Sequence, residues 1–349
     1  MDKTVLTSLN KGLLSALHQD ERVYLLGEDI LDPYGGAFKV TRGCSTAFPE
    51  RVFTTPISEA GLAGLSAGMA LRGLRPVLEI MFGDFTTLVT DQMVNHISKF
   101  RWMYNNTVNL PLVIRAPMGG RRGYGPTHSQ TLEKLFMGVP GLTLMAPVNL
   151  VDDKLHQAPG DLLQGIILRT DDPVMFIENK LQYLLPVYSP EDLPDLEISL
   201  TLEGSTGEID FLTYTLRVKG APPPQVTLTA YGYMAELARQ AQLKLAYEEE
   251  IFTELVIPTR LVPFETGVVS RSVDLTSRLV TVEEGSLTLG WGAEVIARVQ
   301  ESLPGRGLTV RRVAARDLPV PAAPTLELQV LPQVEDILLG VRKVLENDR

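Results

Sequence analysis

Glu59 stands in the stretch TTPISEAGLAGLSAGMALRG, residues 54–73, at the head of a run of small residues: Ala60, Gly61, Ala63, Gly64, Ala67, Gly68 and Ala70. Such a run lets a helix pack backbone against backbone, and a carboxylate at its head loses hydration unless a partner meets it. Structural pairing is commoner than catalysis, so an ion pair with an arginine such as Arg75 is one reading of Glu59, and a proton-handling carboxylate is the other. The second stretch with chemical promise is RAPMGGRRGYGPTHSQTLEK, residues 115–134. It reads as a strand, a long glycine and arginine loop, and then His128 and Ser129 opening a helix. Loops at the carboxyl ends of parallel strands are where open sheets bind ligands, and histidine titrates near neutrality. Equally compatible is a helix capped by Thr127 or Ser129 with a solvated histidine beside it. Phe85, in GDF at 83–85, offers a ring on which a flat cofactor could stack, although the core is the commoner fate of any phenylalanine. His18, His96 and His156 lie in polar or helical contexts with no chemical neighbour in sequence. No HxxxH, HExxH or clustered acid and histidine spacing is present, so no metal ligand is assigned to this chain. A P-loop and a strand followed by GxGxxG are absent too.

The elements that must position these residues are legible as an alternation. Apolar runs at 23–29, 51–56, 75–82, 110–117, 142–147 and 173–178 predict strands, and helical periodicity covers 59–73 and 85–103. Strands apolar throughout and separated by helices imply a parallel sheet covered on both faces. Past Lys180 the texture turns rich in proline, acids and turn residues, which places a linker over 186–224 with room for an added hairpin at 205–225. The alternation then resumes, with strands at 225–232, 255–264 and 278–285 and helices at 234–250 and 291–303. The expectation is an α/β protein of two parallel-sheet domains, residues 1–185 and 225–349.

Composition narrows the partners. With 349 residues, 44% of them hydrophobic and 21% charged, the chain has the make-up of a soluble protein. A formal net charge of −10 argues against nucleic acid or an anionic membrane as the main partner. The single cysteine, Cys44, excludes an internal disulfide and any multi-cysteine metal site. No apolar run approaches the roughly 20 residues that span a bilayer, and the amphipathic N-terminus reads as no signal peptide, so a cytoplasmic protein is expected.

GED at 27–29, GGAF at 35–38, TPISEAGLAGLSAGMALRGLRPVLEIMFGDF at 55–85, DQMVN at 91–95, APMGG with GPTHSQ within 116–130, VPGL at 139–142, AYG at 230–232 and VEEG at 282–285 follow one another in order. In this the chain resembles the beta subunits of the thiamine-diphosphate-dependent first component of the 2-oxo-acid dehydrogenase complexes, over nearly its whole length and most strongly over 20–145. The resemblance implies a pyrimidine-binding domain followed by a transketolase C-terminal-like domain. It implies that Glu59 meets a ring nitrogen of the cofactor's aminopyrimidine, promoting the tautomer that takes the proton from the thiazolium carbon. It implies that Phe85 stacks on that ring, that His128 serves the substrate or the acyl transfer to a lipoyl arm, and that Glu28, beside Gly27, is the strand-end acid near the cofactor. The family's GDG diphosphate motif is missing: the chain has GDF at 83–85 and GDL at 160–162. That motif and its Mg²⁺ belong to the family's alpha subunit, so the implied partners are an alpha subunit in an alpha-two beta-two assembly and a lipoyl-bearing acyltransferase, with thiamine diphosphate shared at the interface. The segment 151–173 is longer than the family's and interrupted by APG, which puts the family's structural potassium ion in doubt here. Two other expectations compete: a split transketolase-like enzyme that uses another acceptor, and a non-catalytic interaction subunit that kept the fold.

Overall fold

The computed structural model describes residues 4–151, 158–206 and 209–346, and His156 lies outside them. The chain divides into two compact units, each α/β as the alternation implies. In the first unit β1 (Val23–Gly27), β2 (Val52–Thr54), β3 (Arg75–Glu79), β4 (Val113–Met118), β5 (Thr143–Met145) and β6 (Val174–Asn179) lie in the order β5-β6-β4-β3-β1-β2, every neighbouring pair parallel. Strands β3 and β4 are buried at every residue, which explains why their sequences show no apolar and polar alternation.

The helix Glu59–Leu71 packs on β1 and β3. It buries Leu62, Ala63, Ser66, Ala67 and Ala70 and leaves Gly61, Gly64, Leu65 and Gly68 on the outer side. The stretch 85–103 is helical as expected, but not as one regular α-helix. A 3₁₀ turn at Gly83–Val89, a π turn at Gln92–Ile97 and a short helix at Phe100–Met103 take its place. Hydroxyls compete with the backbone there: Thr86 Oγ1 donates to the Gly83 carbonyl at 2.7 Å, Thr87 to Asp84 at 2.9 Å and Thr90 to Thr87 at 2.9 Å. Such back-bonding draws carbonyls away from the regular helical ladder.

In the second unit β7 (Leu196–Thr206), β8 (Ile209–Val218), β9 (Val226–Ala230), β10 (Thr253–Pro258), the short β11 (Arg260–Val262), β12 (Arg278–Ser286) and β13 (Thr309–Ala315) follow in sequence. The sheet runs β13-β12-β9-β10-β8-β7; it is parallel from β13 to β10, and β8 joins β10 antiparallel. Strands β7 and β8 thus fall within the proline- and acid-rich stretch 186–224. The unit also takes in Gly120–Lys134, the loop that follows β4.

In the first unit the helices Val5–Gln19 and Pro159–Arg169 cross at two glycines. A Cβ on Gly12 would stand 2.2 Å from the Gly160 carbonyl oxygen, and one on Gly160 would stand 1.9 Å from that of Ser8. Backbone must move to admit either, so Gly160→Ala is expected to lower stability by about 1–3 kcal/mol. The check is chemical denaturation: the midpoint falls with the slope unchanged.

Candidate active site

Three of the four expected residues leave neighbouring strand ends of the first sheet. Gly27, the last residue of β1, pairs with Thr54 at the end of β2 and Glu79 at the end of β3. Glu28 follows β1 directly, Glu59 opens the helix after β2, and Phe85 lies in the 3₁₀ turn after β3. This is the carboxyl edge of a parallel sheet, where such folds collect ligands. Glu28 and Glu59 are each only 6% exposed, and Glu28 Oε1 has no hydrogen-bond partner. Burial first, and then the charge of Glu59, push the Glu28 carboxyl above its ordinary range, against the lowering effect of the Ser58 backbone N–H. Glu59 occupies the first position of its helix, where unpaired N–H groups and the helix dipole attract negative charge.

The ion pair with Arg75 offered for Glu59 is not formed. Arg75 stands at the other end of β3, where Nη1 donates to the carbonyls of Ile167 at 3.1 Å and Thr170 at 2.8 Å and the guanidinium faces Asp20 and Asp171. Phe85 is half-buried and meets Phe82 edge to face at 5.8 Å.

Sequence reasoning missed the charges beneath this edge. Arg115 on β4 is fully buried; its Nε and Nη2 donate to Glu178 on β6 at 2.6 and 2.8 Å, and its Nη1 donates to Glu79 on β3 at 2.6 Å. The Tyr183 hydroxyl donates to Glu178 as well. Burial works against the guanidinium charge, but Glu178 and Glu79 outweigh it and raise Arg115 above its ordinary range. A Cβ on Gly36 would stand 2.5 Å from Glu79 Oε1, so the network reaches the loop after β1. The signal was present as charged residues inside otherwise apolar runs: Glu79 at the end of RPVLE, Arg115 in VIRAPM and Glu178 in VMFIEN.

His128 belongs to the second unit, within Gly120–Lys134. The helix it was expected to open is absent: the chain stays irregular to a short 3₁₀ turn at Glu133–Leu135, so neither Thr127 nor Ser129 caps a helix. At the 3₁₀ turn the side chains reach other elements of the second unit. Glu133 accepts from the Tyr231 hydroxyl at 2.6 Å, and Lys134 Nζ donates to Ser286 Oγ at 2.5 Å and to the Thr288 carbonyl at 2.7 Å. His128 is half-buried, with Nδ1 2.9 Å from Thr127 Oγ1. On β12 the adjacent acids Glu283 and Glu284 serve different backbones, as alternating strand residues must. Glu283 accepts from the Gly292 N–H at 2.9 Å at the start of the helix Trp291–Ser302, and Glu284 accepts from the Gly120 N–H at 2.7 Å. Among the described residues no group of three or more histidines, cysteines or acids could hold a metal ion.

Residues 2–184 match the family described as transketolase, pyrimidine binding domain, and residues 217–337 match transketolase, C-terminal domain. The mitochondrial pyruvate dehydrogenase E1 component subunit beta-1 of Arabidopsis thaliana is 35% identical over 344 residues, 98% of this chain and 89% of that one. The pyruvate dehydrogenase E1 component subunit beta of Rickettsia conorii is 32% identical over 349 residues, 99% of this chain and 98% of that one. The human mitochondrial subunit is 32% identical over 345 residues, with 98% and 90% covered. A solved structure described as split gene transketolase, inactive beta4 tetramer, superposes with a TM-score of 0.72 at 22% identity over 98% of each chain, a likeness of fold.

Burial, and then the charge of Glu133, push the Glu283 carboxyl up from 4.5 to about 8. Between those values the folded protein keeps a proton that the unfolded chain releases, so stability is full below the lower value and falls as pH rises toward the upper one. Each pH unit in that window costs about 1.4 kcal/mol. Glu283→Gln cannot ionise but still accepts from Gly292, so it is expected to gain stability relative to the parent on going from pH 5 to pH 8, as paired urea denaturations will show.

Proposed function

Because the chain belongs to the family of the pyruvate dehydrogenase E1 beta subunits, we propose that it is the beta subunit of a thiamine-diphosphate-dependent 2-oxo-acid dehydrogenase, active with an alpha subunit and passing its acyl group to a lipoyl arm. The observation that carries this reading is the pair Glu28 and Glu59, two carboxyl groups 6% exposed at adjacent strand ends, one with an oxygen that nothing bonds. Burying two acids with an orphan oxygen is costly, and an aminopyrimidine with its ring nitrogens and amino group is a ligand that would offset that cost. When bound, the cofactor supplies a carbon nucleophile that adds to the 2-oxo group and takes up the electrons released with carbon dioxide. Glu59 holds a proton toward a pyrimidine ring nitrogen, in a site dry enough for that hydrogen bond to be strong. Glu28, raised toward its neutral form, has an oxygen able to donate. Phe85 presents its ring for stacking, and His128 moves protons at the substrate or during acyl transfer.

The alpha subunit supplies the diphosphate and Mg²⁺ site. Support for such a partner comes from the outer side of the helix Glu59–Leu71: a Cβ on Gly64 or Gly68 would meet nothing within 4 Å, and Leu65, Leu88 and Ile57 are exposed, Ile57 by 83%. Small residues beside exposed apolar ones suit close packing by another chain. The relatives favour neither the split transketolase-like reading nor a non-catalytic subunit. No described helix is long and apolar enough to cross a membrane.

Two experiments test this reading. Glu59→Gln keeps the size of the side chain and removes the shared proton, so turnover of the reconstituted enzyme is expected to fall by at least about a hundredfold with folding nearly intact; wild-type rates would remove Glu59 from the chemistry. Calorimetry of the isolated chain is expected to show weak binding of thiamine diphosphate, because stacking and one hydrogen bond neutralise no diphosphate charge. Adding the alpha subunit and Mg²⁺ should bring tight binding and activity together, whereas tight Mg²⁺-dependent binding by this chain alone would overturn the shared-site reading.

A further inference from the structure

The backbone turns left-handed at every second residue after β4: φ is 93° at Gly119, 65° at Arg121, 68° at Gly123 and 76° at Gly125. Alternation of this kind points successive N–H groups to one side and makes a concavity that binds anions. Here the anions are the protein's own. Glu327 accepts from the Arg121 N–H at 2.7 Å through Oε1 and from the Gly123 N–H at 3.3 Å through Oε2, and Glu284 accepts from the Gly120 N–H at 2.7 Å. Both acids are buried, at 3% and 4% exposure. Arg121, whose side chain makes a left-handed backbone unfavourable, is pinned three ways. Its Nη1 pairs with Glu284 at 3.0 Å, its Nη2 donates to the Pro332 carbonyl, and its guanidinium lies 5.3 Å from the Tyr233 ring centre. The loop rests on the segment that carries Glu327: a Cβ on Gly120 would stand 2.6 Å from Leu331 and 3.0 Å from Glu327 Oε1. At its far end the Gly125 carbonyl accepts from the His128 N–H at 3.3 Å.

We propose that Glu284 and Glu327 are positioning residues for His128, two built-in anions that fill a nest of backbone N–H groups and hold the histidine-bearing loop in one conformation. The functional half of this rests on the reading of His128 given above; the clamp itself does not. Four left-handed residues, three of them glycine, would otherwise give the loop many conformations, and buried carboxylates accepting N–H bonds are strong enough to select one. The charge is placed by tertiary structure, since Glu327 lies on the short helix Pro324–Val330 and Glu284 on β12.

Hydrogen exchange on the purified chain tests the clamp. In Glu327→Ala the amides of residues 120–125 are expected to exchange at least about tenfold faster than in the parent, while those of β9 and β12 keep their protection; Glu327→Gln, which retains one acceptor oxygen, should fall between. Unchanged exchange at 120–125 overturns the proposal, and so does loss of protection throughout the second unit, which would mark Glu327 as a general support of the fold. The His128 imidazole resonance should pass from one line to several in Glu327→Ala, and a single unshifted line there also overturns it. With the alpha subunit present, Glu327→Ala should lower kcat for acyl transfer about tenfold with KM for the 2-oxo acid unchanged. The double variant with His128→Ala should be no slower than His128→Ala alone; additive losses would show that Glu327 does not act through His128. If the parent enzyme transfers no acyl group, the functional reading fails, and the exchange and resonance measurements still decide the clamp.

Discussion

One guanidinium shared between two buried carboxylates organises the first unit. Arg115 sits on β4, between β3 and β6 in the sheet, and ties Glu79 on one neighbour to Glu178 on the other. All three are buried, so each depends on the others for its hydrogen bonds, and loss of one partner would strand an uncompensated charge. Glu79 also fills space that the absent side chains of Gly27 and Gly36 leave open. Strands β3, β4 and β6 are therefore held together by electrostatics as well as by the ladder, with Gly27 at the end of β1 packed against Glu79, and from this edge Glu28 and the turn bearing Phe85 depart.

The second unit uses buried acids differently, to fix backbone that has no regular ladder of its own. Glu283 grips the start of a helix, Glu284 and Glu327 grip the loop Gly120–Gly125, and Glu133 takes the Tyr231 hydroxyl. A carboxylate has up to four lone-pair sites and so can satisfy several N–H groups of an irregular loop at once. The cost is desolvation, visible in the raised carboxyls of Glu133 and Glu283. Loops made rigid in this way can present side chains with a precision that glycine-rich sequence alone would deny them.

Glu28 and Glu59 differ from both sets. Their burial serves no arginine found in the first unit's network, and one Glu28 oxygen is left without a partner. Stability is given up there, which is expected where a site is built for a ligand rather than for the fold.

The alternation of apolar runs and helical periods in the sequence determined the α/β class and the parallel sheet, because a strand buried on both faces is mostly apolar and shows no apolar and polar alternation. Glu59 also declared itself locally, as a carboxylate at the head of a small-residue helix that needs a partner. Its actual surroundings were not legible: Arg75, the obvious partner in sequence, faces the opposite end of the sheet. That 85–103 would fold as 3₁₀, π and α turns rather than one regular helix was not legible, because periodicity records which residues are buried and not which side-chain hydroxyls take backbone carbonyls, as those of Thr86, Thr87 and Thr90 do. The Arg115 network joins residues 36 and 63 positions apart, and the loop of His128 is held by acids 164 and 206 positions away. Hydrophobic pattern is a local property of the chain, so sequence could place the strands; hydrogen bonds to buried charges depend on which distant segments the fold brings together, so only the tertiary structure could decide what each charge meets.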